Sequence, residues 1–131
     1  MLRATIASLA ALALCGCGDA GDGQQRNVTR IAMANPVSDQ LKGGDDLYRA
    51  IGLRRAIIDS GQRCKKVDGA AYQQEYKNQA MWTAHCSDSG DWAVFISPGG
   101  EAQARTCADL VQLKIVTCKP TPRFEDPEKK G

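Results

Sequence analysis

Six cysteines and one histidine are the side chains of this chain with the most chemistry to offer. His85 is where acid–base catalysis would start, because histidine is the most frequent general base and a carboxylate within reach would orient its imidazole. Asp88, in the turn that follows, or Glu75 could supply that carboxylate. The constellation goes no further. Neither Ser87 nor Ser89 lies in a Gly-x-Ser-x-Gly elbow, so a serine hydrolase has no support. No Cys-x-x-Cys pair occurs behind residue 20, which removes the usual spacing of redox and metal sites. No metal and no cofactor is expected. A second candidate group is aromatic: Trp82, Trp92 and Tyr72, with His85, could form a platform on which a sugar or peptide stacks. The competing reading packs both tryptophans into a core and leaves His85 on a solvated strand face.

Size and charge narrow the classes. A chain of 131 residues holds one small domain. Its formal charge of +2 is far from the basic excess that nucleic-acid binding needs. Arg54, Arg55, Lys65 and Lys66 are basic neighbours, but Asp59 and Asp68 lie close by and make a solvated charged face the simpler reading.

The N-terminus carries the most specific signal. Met1-Leu2-Arg3 is a short basic start, and Thr5–Leu14 is uncharged. That apolar run is too short to span a bilayer, which takes about 20 residues, and suits the hydrophobic part of a secretory signal peptide. Leu14-Cys15-Gly16-Cys17 follows and resembles the lipobox of bacterial lipoproteins. Cys15 stands where that pattern has a small residue. Taking Cys15 as the acceptor would put the bulky Leu14 just before it, so Cys17 is the better acceptor. The resemblance implies a diacylglycerol thioether on Cys17, cleavage before it, and acylation of the new amino group. Two or more acyl chains hold a protein stably on a membrane. Gly18 after the cysteine favours the outer membrane. The alternative is ordinary secretion, cut after Ala13.

These features divide the chain into a signal peptide over 1–16, a lipidated Cys17 with a flexible tether over 17–37, a folded domain over 38–119, and a disordered tail over 120–131. The tether opens on GDAGDGQQRN, which is too polar to offset the entropy of ordering. Val28–Ala34 is more apolar and could be a short strand. The tail has three prolines among twelve residues.

Within the domain, Asp45-Asp46 precedes Leu47, Ala50, Ile51, Leu53, Ile57 and Ile58 at helical spacing. This predicts a long helix over about 45–60, ended by Gly61, with Gly52 allowing close packing on a sheet. Gln62–Asp68 reads as a short strand containing Cys64, and Ala70–Glu75 as an ambiguous stretch. Gln79–Cys86 alternates, with Ala80, Trp82, Ala84 and Cys86 on one face. Ser87–Gly90 is turn chemistry. Asp91–Ser97 is the clearest strand and Ala102–Thr106 a weaker one. Thr106 and Asp109 resemble a capping box opening a short helix over 108–114. The expected fold is α+β: the long helix packed on a small antiparallel meander of three to four strands, a short C-terminal helix, and two disulfides. The second sheet face would be partly solvated, with Tyr72, Tyr76, Met81 and Phe95 as an apolar patch.

Cys64, Cys86, Cys107 and Cys118 remain behind the leader. An even count behind an export signal reads as a disulfide framework. In a meander, Cys64 meets Cys86 across neighbouring strands, and Cys107 and Cys118 bracket the last helix; Cys64–Cys107 is the fallback. The function this implies is a non-catalytic, membrane-anchored envelope lipoprotein, a small binding or accessory domain in the periplasm with an envelope protein as partner. The alternative is a small periplasmic enzyme using His85 with a nearby carboxylate.

Overall fold

The computed structural model describes residues 33–126. The leader, Cys17 and most of the expected tether lie outside the described residues. The element order is α1 (Pro36–Gly43), α2 (Asp46–Asp59), β1 (Val67–Tyr76), β2 (Gln79–Cys86), β3 (Gly90–Ile96), β4 (Ala102–Thr106) and α3 (Cys107–Gln112).

The domain starts earlier than the sequence reading placed it. Asn35-Pro36, within the expected tether, is an N-cap followed by proline at the first helical position, where the missing N–H costs nothing. The Asn35 side chain accepts from the Ser38 amide at 3.1 Å and donates to the Ile96 carbonyl at 2.8 Å. So α1 is capped and tied to the sheet by one residue. Asp45 caps α2 in the same way, accepting from the Tyr48 amide at 2.7 Å. At the far end of α2 the chain turns through Gly61 at φ +78°.

Helix α2 covers the span expected but buries less of its apolar pattern. Leu53 and Ile57 are fully buried, and Ala50 and Ala56 lean on the same core. Leu47 and Ile51 are 68% and 62% exposed, and Ile58 is exposed too. The pattern was wide enough for two faces, and only one meets the sheet. Gly52 faces α1, not a strand: a Cβ there would lie 2.9 Å from Leu41 Cδ2.

The four strands form one antiparallel meander in the order β1-β2-β3-β4. The first strand differs from expectation. Residues 62–66 are irregular, Cys64 lies in that loop, and the ambiguous stretch after it is β1. Its Gly, Ala, Gln and Glu carry little strand propensity, so pairing with β2 imposes the conformation. The two-residue turn Lys77-Asn78, positive in φ at both positions, sets that pairing in the twist-matched hairpin geometry. A register shift between Val67 and Gly69 leaves Asp68 in a bulge.

Both sheet faces are covered. On the first, Trp82, Trp92, Val94, Ile96 and Val67 pack under Leu41, Leu53 and Ile57. On the second, Met81, Ala93, Phe95 and Leu110 are buried, with Tyr76, Ile115 and Val116 against them. The expected apolar patch is therefore corrected. Met81 and Phe95 lie beneath α3 and the segment after it, and Tyr72 faces the other way. Two disulfides close the structure, Cys64–Cys86 and Cys107–Cys118, with Cα separations of 5.4 and 5.7 Å.

The expected tail is also revised as far as residue 126. Arg123 forms a bridge with Gly69, the Phe124 amide donates to the Asp68 carbonyl at 2.9 Å, and Phe124 packs on the first core. Gln73 grips the same segment, donating to Thr117 O and accepting from the Lys119 amide, both at 2.8 Å. Gly69 admits this close approach, since a Cβ there would run into the Pro122 carbonyl.

The orientation of α2 sets up a direct comparison. Leu53→Ala should destabilise by about 2–5 kcal/mol, as buried leucines do. Ile51→Ala, two residues away, should cost about 0.5 kcal/mol or less. Urea unfolding of both variants checks it; equal losses would place Ile51 in the core.

Candidate functional site

His85 has a carboxylate partner, but not one the sequence suggested. Asp88 accepts from the Lys65 amide at 2.7 Å, and Glu75 accepts from the Tyr72 hydroxyl at 3.0 Å. The partner is Asp68, whose Oδ1 lies 2.6 Å from His85 Nδ1. The bulge in β1 re-aims this residue so that it meets His85 on the second sheet face. The available signal was Gly69, since a glycine inside a strand often marks a bulge. Arg123 Nη1 stands 3.8 Å from the same Asp68 oxygen, so the carboxylate joins β1, β2 and the C-terminal segment. A His–Asp pair holds an imidazole in one orientation with Nε2 left to act. Three cavities flank the helices and the β4 edge, and none of the three borders His85. Among the described residues no group of His, Cys, Asp or Glu is placed to hold a metal ion.

Trp82, Trp92 and Tyr72, the candidate platform, lie on the opposite sheet face. Trp82 is 1% exposed, and its indole N–H donates to Ser38 Oγ at 3.0 Å. Trp92 is buried, with its N–H on Ser89 Oγ at 3.0 Å. A stacking platform needs an open ring face, and both indoles are enclosed. Tyr72 meets Trp82 edge to face at 5.8 Å between centroids, and Lys42 Nζ sits 4.0 Å over the Tyr72 ring. The structure thus brings Tyr72 and Trp82 together, keeps Trp92 in the same core, and holds His85 apart from all three.

A further surface feature is one the sequence did not point to directly. A groove of roughly 280 Å³ lies between α1, α2 and the turn from β3 to β4. Buried Leu41 and Ile96 line it, together with the exposed Val37, Tyr48 and Ile51. Leu47 stands one helical turn before Ile51 and extends the apolar ridge. The cue in the sequence was the surplus itself: α2 carries more large aliphatic residues than one core-facing stripe needs.

No family model, curated protein or solved structure matches this chain.

Burial raises the Tyr72 hydroxyl above its ordinary pKa, and the hydrogen bond and charge of Glu75 add to this, with Asp39 contributing more weakly. A raised folded-state pKa gives stability that is complete below the unfolded value of about 10. That stability is lost as pH climbs through the folded value. Absorbance titration should find one of the three tyrosines ionising late, and Tyr72→Phe should remove that component. A late component surviving in Tyr72→Phe would assign it elsewhere.

Proposed function

We propose that this chain is a membrane-anchored envelope lipoprotein, a small non-catalytic binding or accessory domain. It is held on the periplasmic side by lipid on Cys17, with the outer membrane favoured by Gly18. The observation that carries the reading is the pairing of all four cysteines behind the leader, Cys64–Cys86 and Cys107–Cys118. Disulfides persist in oxidising compartments such as the periplasm, where a lipobox-type leader would deliver the chain. A domain of this size draws about 2–4 kcal/mol from each bridge, a large share of a typical folding margin of about 5–15 kcal/mol.

The non-catalytic part of the reading rests on His85. Its Nδ1 is engaged by Asp68, and that carboxylate also faces Arg123, so the group fastens the C-terminal segment to the sheet. The second reading is a periplasmic enzyme built on the same His85–Asp68 pair, favoured by its 2.6 Å contact. Protein partners fit the accessory reading better than nucleic acid does, because the formal charge is only +2.

Expression in a Gram-negative host tests the anchor. The wild-type chain should fractionate with membranes and carry the mass of a diacylglycerol and a further acyl chain on a protein beginning at Cys17. Cys17→Ser should move to the soluble fraction. Membrane retention of Cys17→Ser, or an unmodified mass, would overturn the reading.

A further inference from the structure

The exposed apolar side chains are not scattered evenly. Met33, Val37, Leu47, Tyr48 and Ile51 fall within the first nineteen described residues. Beyond Ile58 at the end of α2, the other large exposed ones are Val111 and Leu113, at α3 on the opposite face of the sheet. Val37, Tyr48 and Ile51 all border the groove between α1, α2 and the β3–β4 turn. Met33, 60% exposed, lies four residues before Val37, ahead of the helix. The apolar surface therefore begins where the chain enters the domain.

The charges on this surface are matched locally. Lys42 pairs with Asp39 at 3.7 Å, Arg49 with Asp46 at 2.8 Å, and Arg55 with Asp59 at 3.0 Å. Each pair lies within one helix, and Asp45, the cap of α2, offsets Arg54, so the two helices with their caps present apolar side chains among charges with no net excess of either sign. A strongly charged partner gains nothing here, whereas an uncharged apolar boundary does. Tyr48, with its hydroxyl 3.3 Å from Gln40 Oε1, has the half-apolar, half-polar character that suits a membrane interface.

Fifteen residues separate Cys17 from Met33. Fully extended, at about 3.3–3.6 Å each, they reach roughly 50 Å. A domain held this close meets the bilayer at a high effective concentration, and the face bearing the entry point is the one best placed to meet it.

We infer that the α1–α2 face docks on the lipid surface that holds the anchor, with Val37, Leu47, Tyr48 and Ile51 entering the headgroup–acyl boundary. The inference rests on the lipid-anchored reading, but its test does not. In the chain from Cys17 onward, which contains every residue of both cores, the other four cysteines are in disulfides, so Cys17 is the only thiol. It can be coupled to a maleimide lipid in phosphatidylcholine vesicles with or without brominated acyl chains. The two native tryptophans are buried and supply a constant background.

An Ile51→Trp variant should lose about half of its added fluorescence in brominated vesicles, as a side chain sunk ~5–10 Å into the interface would. Val111→Trp, on the opposite side of the molecule, should lose little. Raising the salt should leave the difference unchanged, because the ion pairs cancel locally. Equal quenching at both positions, or none at either, would overturn the inference. So would quenching that vanishes in salt. Absent quenching together with concentration-dependent dimerisation of the uncoupled chain would assign the face to a second copy instead. Failure of cellular lipidation would appear in the mass of the Cys17 chain and would leave this vesicle measurement untouched.

Discussion

Strands β2 and β3 are apolar on both faces, and the rest of the molecule answers to that. Trp82 and Val94 point one way; Met81 and Phe95 point the other. An antiparallel sheet can leave one face to water only when its outward residues are polar, and here they are not. Two covers are needed. α1 and α2 supply the first. The second is built from a six-residue helix and the segment behind it, too short to stay in place through helical propensity alone. The Cys107–Cys118 bridge brackets this cover and closes an eleven-residue separation, while Leu110 seats it on Met81 and Phe95. The disulfides thus belong to the packing problem: they let a small chain hold two thin layers against one sheet.

Helix α1 is held by polar contacts more than by burial. It contributes the buried Leu41, and its buried polar ties to the sheet run through Ser38 and its cap Asn35. Trp82 is the centre of this arrangement. Burying an indole removes about 150–250 Å² from water, but its N–H must then find a partner, and Ser38 provides one. Asn35 meets the Ile96 carbonyl at the end of β3. Both contacts lie inside the core, where unmade hydrogen bonds are costly. Asn35 is therefore a firmly fixed point near the start of the described residues, and the orientation of α1 on the sheet is set by side chains the sheet itself satisfies.

Strands β2 and β3 were legible in the sequence because their side chains alternate and strong turn residues separate them. The disulfide pairing followed from the meander, although Cys64 reaches Cys86 from a loop and not from a strand. Strand β1 was not legible, since Gly69, Ala70, Ala71, Gln73 and Gln74 favour no pleated surface and acquire one only from β2. The site geometry was harder still. Asp68 meets His85 through a bulge, an irregularity with no periodicity to betray it. The face of α2 that stays exposed depends on where α1 packs, and α1 begins at an Asn-Pro pair that reads as linker unless its capping geometry is seen. Local pattern carried the elements; contacts distant in sequence decided which surfaces remained free.

Both edges of the sheet are closed, which bears on what the molecule can bind. At β1, the bridge from Arg123 and the Gln73 contacts lay the C-terminal segment along the strand. At β4, the Ser60 hydroxyl accepts from the Ala104 amide at 3.0 Å while donating to the Ala56 carbonyl at 2.8 Å. This occupies the middle of the free edge with the end of α2. Gln103 and Arg105 leave β4 polar and charged on its exposed side, a device that discourages strand addition. Addition of a partner strand is thus obstructed at each edge by the protein's own chain. With the second sheet face under α3, the groove and ridge of α1 and α2 remain, among the described residues, as a large apolar surface open to a lipid boundary.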